Sequence, residues 1–182
     1  MTDDRTVLVN PVIFQGRGFA PREDRVFVIM PFGPRWSGEV WATIKSTMTA
    51  LGFRCTRADE QYGHQILEDI WRGICEASIV IADVTGRNPN VYYELGIAHV
   101  LGRRVLLLTQ DGGDIPFDTR VYRHILYKMP RLPWLRSKVM TKLADEIAQT
   151  VKWINENEMQ LSGGRFADIY ARLRKVETTR GH

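Results

Sequence analysis

The chain has 182 residues, 44% hydrophobic and 25% charged, which suits one globular domain with room for a short accessory element. No apolar run approaches the roughly 18 residues of a membrane span, and the N-terminus places Asp3 and Asp4 where a secretory signal carries bases, so the expected location is the cytoplasm, away from membranes. The net charge of +4 hints at anionic partners, but the bases cluster at Arg120–Lys142 and Arg165–Arg180 and read first as solvated helix faces, with nucleic acid the less favoured partner.

Residues 1–24, with Pro11, Gly16, Gly18 and Pro21, read as an N-terminal arm holding at most one short strand near Leu8–Phe14. The organised domain is expected over 25–134. It starts with Val26–Met30, a β-branched apolar run of the kind found in strands buried on both faces. Val40, Trp41, Ile44, Met48 and Leu51 then predict a helix from Ser37 to Leu51, with Ser37 as N-cap and Gly52 as stop. Phe53–Ala58 reads as a second strand. Ile66, Ile70 and Ile74 mark a helix over about 64–77, and Ser78–Ala82 is another buried strand. A polar loop, Asp83–Asn88, leads to a helix over about 89–101 closed by Gly102, either with Asn88 as cap and Pro89 at its first position or with Asn90 as cap and a start two residues later. Arg104–Thr109 is a fourth strand, and a short fifth lies near His124–Tyr127.

This β-α alternation predicts an α/β fold: an open, mostly parallel sheet flanked by helices, in the flavodoxin-like order 2-1-3-4-5. A C-terminal helical extension, 135–182, follows. Its first helix, Leu135–Ile154, is expected to cover the core. Its second, carrying Phe166, Ile169, Tyr170, Leu173 and Val176, is a candidate contact for a protein partner.

In such a sheet, ligands bind beyond the C-terminal ends of the strands. That rule selects the segments 30–36, 59–63, 83–90 and 110–120. Within them Met30, Pro31, Phe32, Arg35 and Trp36 are candidates for covering a base. Asp83, Asn88 and Asn90 are candidates for positioning a sugar or base, and Asp69 is a further polar candidate on the preceding helix. Glu94 is the candidate reactive carboxylate. Its place near the helix start is expected to favour the ionised form. A Glu early in a helix is usually just solvated; here its company is an Asp ending a strand, an Asn-rich loop and two tyrosines. Of these, one tyrosine of the Tyr92–Tyr93 pair is expected against the sheet and the other at the rim. Arg35 and Arg87 are candidate phosphate contacts. Gly96 costs about 1 kcal/mol relative to Ala inside a helix, so close packing or ligand approach is expected there. Cys55 and Cys75 have no metal-ligand spacing and read as buried thiols; neither a dinucleotide fingerprint nor a P-loop occurs, and no metal or cofactor is expected.

The stretches VFVIMPFG, ILEDIWRGI and IVIADVTGRNPNVYYELGIAHVLGRRVLLL together resemble the nucleoside 2-deoxyribosyltransferase-like and TIR-like families over about 25–127. The resemblance implies that Glu94, in the ELG block, acts at the sugar anomeric carbon. It implies cleavage or transfer at an N-glycosidic bond of NAD, a nucleoside or a nucleotide, by a homo-oligomer. The transferases carry an acid where Asn88 stands, and their upstream acid matches Asp69 only with a shift of about one residue. The alternative is a non-catalytic nucleotide-sensing module or a TIR-like assembly module.

Overall fold

The computed structural model describes residues 19–57, 66–120 and 122–157. The expected strand near Leu8–Phe14, the segment 59–63 and the helix through Phe166–Val176 lie outside the described residues. Five strands, β1 (Arg22–Ile29), β2 (Arg54–Arg57), β3 (Ala77–Asp83), β4 (Arg104–Thr109) and β5 (His124–Leu126), alternate with four helices. The helices are α1 (Ser37–Ala50), α2 (Ile66–Glu76), α3 (Pro89–Val100) and α4 (Pro133–Glu156). All four strand pairings are parallel, in the order β2-β1-β3-β4-β5. The predicted order is the observed one.

The continuous apolar runs become central strands because each must fill two cores. Along β3, Ile79 and Ile81 face α1 and α4, while Val80 and Ala82 face α2 and α3. β1 divides the same way, with Val26 and Val28 on one side and Phe27 and Ile29 on the other. Leu143, Ile147, Val151 and Ile154 of α4 complete the first core. On the opposite face the ring of Phe27 lies against Gly73 of α2, where an added Cβ would come within 2.3 Å of it.

Three local expectations need correction. β1 starts at Arg22 rather than Val26, because Arg22 pairs with Ala77 across a register irregularity that polar residues do not announce. Ser37 does not cap α1; it is buried, and its hydroxyl donates to the Pro31 carbonyl, tying the helix start back to the end of β1. α4 starts at Pro133, two residues early, since proline at a first helical position loses no hydrogen bond. Gly52 and Gly102, at φ 88° and 64°, end α1 and α3 as expected.

Candidate functional site

At the C-terminal edge of the sheet, the β3–α3 loop is built around two side chains that hold backbone. Asn88 is the N-cap of α3, its Oδ1 accepting from the Asn90 amide at 2.9 Å and from that of Val91 at 3.5 Å, with Pro89 next. Between β3 and this cap the chain makes a left-handed turn through Gly86 (φ 76°) and Arg87 (φ 54°), unusual for a residue with a side chain. Asp114 holds that turn from the β4–β5 connection. Its Oδ2 accepts from the Gly86 amide at 2.8 Å, its Oδ1 lies 3.3 Å from Arg87 Nε, and its carbonyl accepts from the Tyr92 hydroxyl. Arg87 also donates to the Gly113 carbonyl. Of the two expected phosphate contacts, Arg87 is therefore engaged within the chain, while Arg35 is exposed.

Asp83 closes β3 with no exposed surface. Its Oδ1 accepts from the Thr85 amide at 3.0 Å and its Oδ2 from the Tyr127 hydroxyl at 2.6 Å. Burial pushes the Asp83 carboxyl upward, opposed by its hydrogen bonds to Thr85 and Tyr127. Tyr127, driven up by burial and by the adjacent Asp83 charge, receives a hydrogen bond from Gln110 Nε2 at 3.2 Å. Gln110 Oε1 accepts in turn from the Met129 amide, and the Gln110 amide donates to the Thr85 hydroxyl. Thr85 and Gln110 fall within the segments 83–90 and 110–120, but no sequence feature marks them or Tyr127 individually. Nothing in the pattern near a three-residue strand marks Tyr127 as the partner of an Asp 44 residues earlier.

The β1–α1 connection shows a graded burial. Met30 and Pro31 are buried, Phe32 is 52% exposed, and Trp36 packs its ring edge-on to Tyr127 at 6.4 Å. The Arg57 guanidinium at the end of β2 lies over both Phe32 and Trp41, at 5.1 and 5.0 Å, and reaches Met30 Sδ. Trp36 and Asp83 thus meet through Tyr127, and Met30 and Phe32 through Arg57. Asp69 stands in the first turn of α2, partly buried, and Asn90 is exposed.

Glu94 is the sixth residue of α3, on the flank beside the buried Val91, Leu95 and Ala98. It is partly buried, and burial raises its carboxyl from 4.5 to about 7. Here the expected preference for ionisation is overturned. The helix-end field fades within the first turn, and lost hydration outweighs it. No hydrogen bond or ion pair among the described residues joins Glu94 to Asp69, Asp83 or Asn88. A carboxyl so placed is half protonated near neutrality, able to act as nucleophile when ionised and as acid when not. A hollow of about 370 Å³ opens between α2 and α3, lined by Trp71, Tyr93, Gly96, Ile97, Val100 and Leu101, and Glu94 is not part of its lining. Tyr92 packs inward and Tyr93 is exposed at the rim, as expected. Gly96 is not closely packed: a Cβ there would meet nothing within 4 Å among the described residues. Both cysteines are buried thiols, as expected. Among the described residues no three or more His, Cys, Asp or Glu side chains cluster to hold a metal, and no helix is long and apolar enough to cross a membrane.

A five-stranded parallel sheet in this order, with helices on both faces, defines a flavodoxin-like α/β protein. No protein-family model matches the chain, and no curated protein is recognisably similar to it in sequence. Among solved structures it is similar to a flavo di-iron protein variant from Thermotoga maritima, at 12% identity and a TM-score of 0.50, over 72% of this chain and 37% of that one. It is also similar to the 2-deoxyribosyltransferase of the psychrotolerant bacterium Bacillus psychrosaccharolyticus, at 18% identity and a TM-score of 0.45, over 57% of this chain and 85% of that one. Rubredoxin:oxygen oxidoreductase from Desulfovibrio gigas matches at 14% identity and a TM-score of 0.45, over 74% and 37%. At these identities the likeness is one of fold.

Proposed function

We propose that the chain breaks or transfers the N-glycosidic bond of a nucleotide-type substrate (NAD, a nucleoside or a nucleotide) with Glu94 as the reacting carboxylate. The observation that carries this reading is the partly buried Glu94 carboxyl, raised to about 7 in the second turn of the helix that follows β3. As the bond between anomeric carbon and base nitrogen breaks, its electron pair leaves with the base and the sugar gains oxocarbenium character. Ionised Glu94 stabilises that charge or bonds to the carbon. Water then gives hydrolysis, and a second base gives transfer. Phe32, Arg35 and Trp36 would cover the base, with the buried Met30 and Pro31 beneath them; Asp69, Asn88 and Asn90 are the polar groups offered to the sugar and base, and the buried Asp83 holds their loop. Incubation with a panel of nucleosides, nucleotides and NAD, with free base detected, tests the reading. Wild type should release base and Glu94→Ala should release it at least about 10³-fold more slowly, the order of effect for a lost catalytic group. Equal release by both proteins overturns it.

One observation favours a second reading, nucleotide sensing without turnover. Asp83 is engaged with Thr85 and Tyr127, and Asn88 is engaged as a helix cap, so neither is placed to protonate a departing base. That reading expects thermal stabilisation by a nucleotide with no product formed.

A further inference from the structure

We propose that the start of α4, with the connection leading into it, docks on the headgroup surface of an anionic lipid bilayer. The sequence places the apolar stripe of α4 against the core from Leu135 onward, but the core takes it up only from Met140. Before that point Leu132, Trp134 and Leu135 are 45%, 72% and 43% exposed within four residues of chain. The helix is held there by the Arg136–Glu39 ion pair and by proline at its first position, not by apolar packing.

Charge selects the occupant. From Arg120 to Ala144 the chain has seven Lys or Arg and no Asp or Glu, although the whole sequence carries 21 acids. Arg136 and Lys142 are paired with Glu39 and Glu146, and Arg123 lies over the Trp153 ring. Lys128, Arg131 and Lys138 are exposed, and among the described residues no carboxylate pairs with them. Arg131 adjoins Leu132. Lys138 follows Trp134 by four residues and Leu135 by three, on the same side of the helix as both. Bases therefore rim the apolar group, the arrangement in which lysine and arginine meet lipid phosphates while tryptophan and leucine enter the boundary of the acyl chains.

The two leucines favour lipid over nucleic acid. A single strand offers phosphates to the bases and a stacking face to Trp134, but it leaves aliphatic side chains in water. An acyl layer removes all three from water at once. The Met129 amide, in the same connection, donates to Gln110 Oε1, so this surface stands at the C-terminal edge of the sheet, tied to the Gln110–Tyr127–Asp83 network.

The test uses the full chain and does not depend on the chemistry proposed for Glu94. Wild type should sediment with vesicles of phosphatidylcholine and phosphatidylglycerol in equal parts, should stay behind with phosphatidylcholine alone, and should be released by added salt. Replacing Lys128, Arg131 and Lys138 together by Glu should weaken binding at least about 10²-fold, from about fivefold for each base lost. Trp134→Ser should weaken it at least about 10-fold. Bromine-labelled acyl chains should quench wild-type fluorescence, and Trp134→Phe should bind yet lose that quenching. Wild type that ignores anionic vesicles, Trp134→Ser that binds like wild type, or quenching that survives in Trp134→Phe overturns the proposal. Tighter binding to a single-stranded oligonucleotide than to the vesicles, weakened by the same variants, also overturns it and assigns the surface to nucleic acid.

Discussion

The Tyr127 hydroxyl donates to Asp83 Oδ2 across 2.6 Å, joining the residue that ends β3 to the residue that follows β5 on the far side of β4. Asp83 is fully buried and Tyr127 nearly so, and Gln110 and Thr85 extend the contact to the β4 and β3 loops. One phenol thereby fixes the relative positions of three loops at the C-terminal edge of the sheet.

Tyr127→Phe should therefore destabilise the fold by about 1–3 kcal/mol, since a buried carboxyl oxygen loses its donor. Urea unfolding of the two proteins measures it. A change below about 0.5 kcal/mol would mean that water replaces the hydroxyl. Asp83→Asn, which keeps an acceptor and removes the desolvated charge, should cost less than Asp83→Ala.

Glu94 should make stability depend on pH. Its folded-state value, about 7, lies above the ordinary 4.5, so the folded chain holds this proton more tightly than the unfolded chain does. The contribution is complete below pH 4.5 and is lost as pH rises through 7. Against Glu94→Gln, wild type should hold its own near pH 4 and then fall behind by about 2 kcal/mol, a figure reduced for solvent screening. Melting temperatures of both proteins from pH 4 to 8 should diverge across that interval; parallel curves would show a carboxyl in ordinary solvent. If ionised Glu94 is the reacting form, base release should rise with pH through about 7 and level off above it.

Asp114→Ala should loosen the β3–α3 loop. The Gly86 amide loses its acceptor and Arg87 its ion pair, though Arg87 is mostly exposed and the pair itself adds little. A loss of about 1 kcal/mol follows from the amide hydrogen bond. Hydrogen exchange at Gly86 should speed up while amides in β3 keep their protection.

Two helix glycines should respond oppositely to alanine. At Gly73 the new Cβ would meet the Phe27 ring at 2.3 Å, so the mutation should cost at least about 2 kcal/mol through overpacking. At Gly96 nothing stands within 4 Å among the described residues, and alanine should stabilise by up to about 1 kcal/mol through helix propensity. Thermal melts of the two variants would separate them, and similar shifts would contradict the difference in surroundings.

Much of this molecule is readable from its residues alone. Two-sided burial demands uninterrupted apolar runs, so Val26–Ile29, Ser78–Ala82 and Val105–Leu108 announce central strands, and alternation with helices then leaves few topologies. Asn88-Pro89 states the start of α3 because capping is local, and Gly52 and Gly102 state helix ends for the same reason. What depends on distant neighbours had to wait for the fold. Ser37 looked like a cap until packing brought the Pro31 carbonyl within its reach. Glu94 looked favoured as a charge until the surrounding chain took its water away. The partnership of Asp83 with Tyr127, the capture of Arg87 by Asp114 and the uncovered start of α4 arise between segments that only tertiary packing brings together. Local chemistry wrote the elements; desolvation and long-range contact decided what each side chain can do.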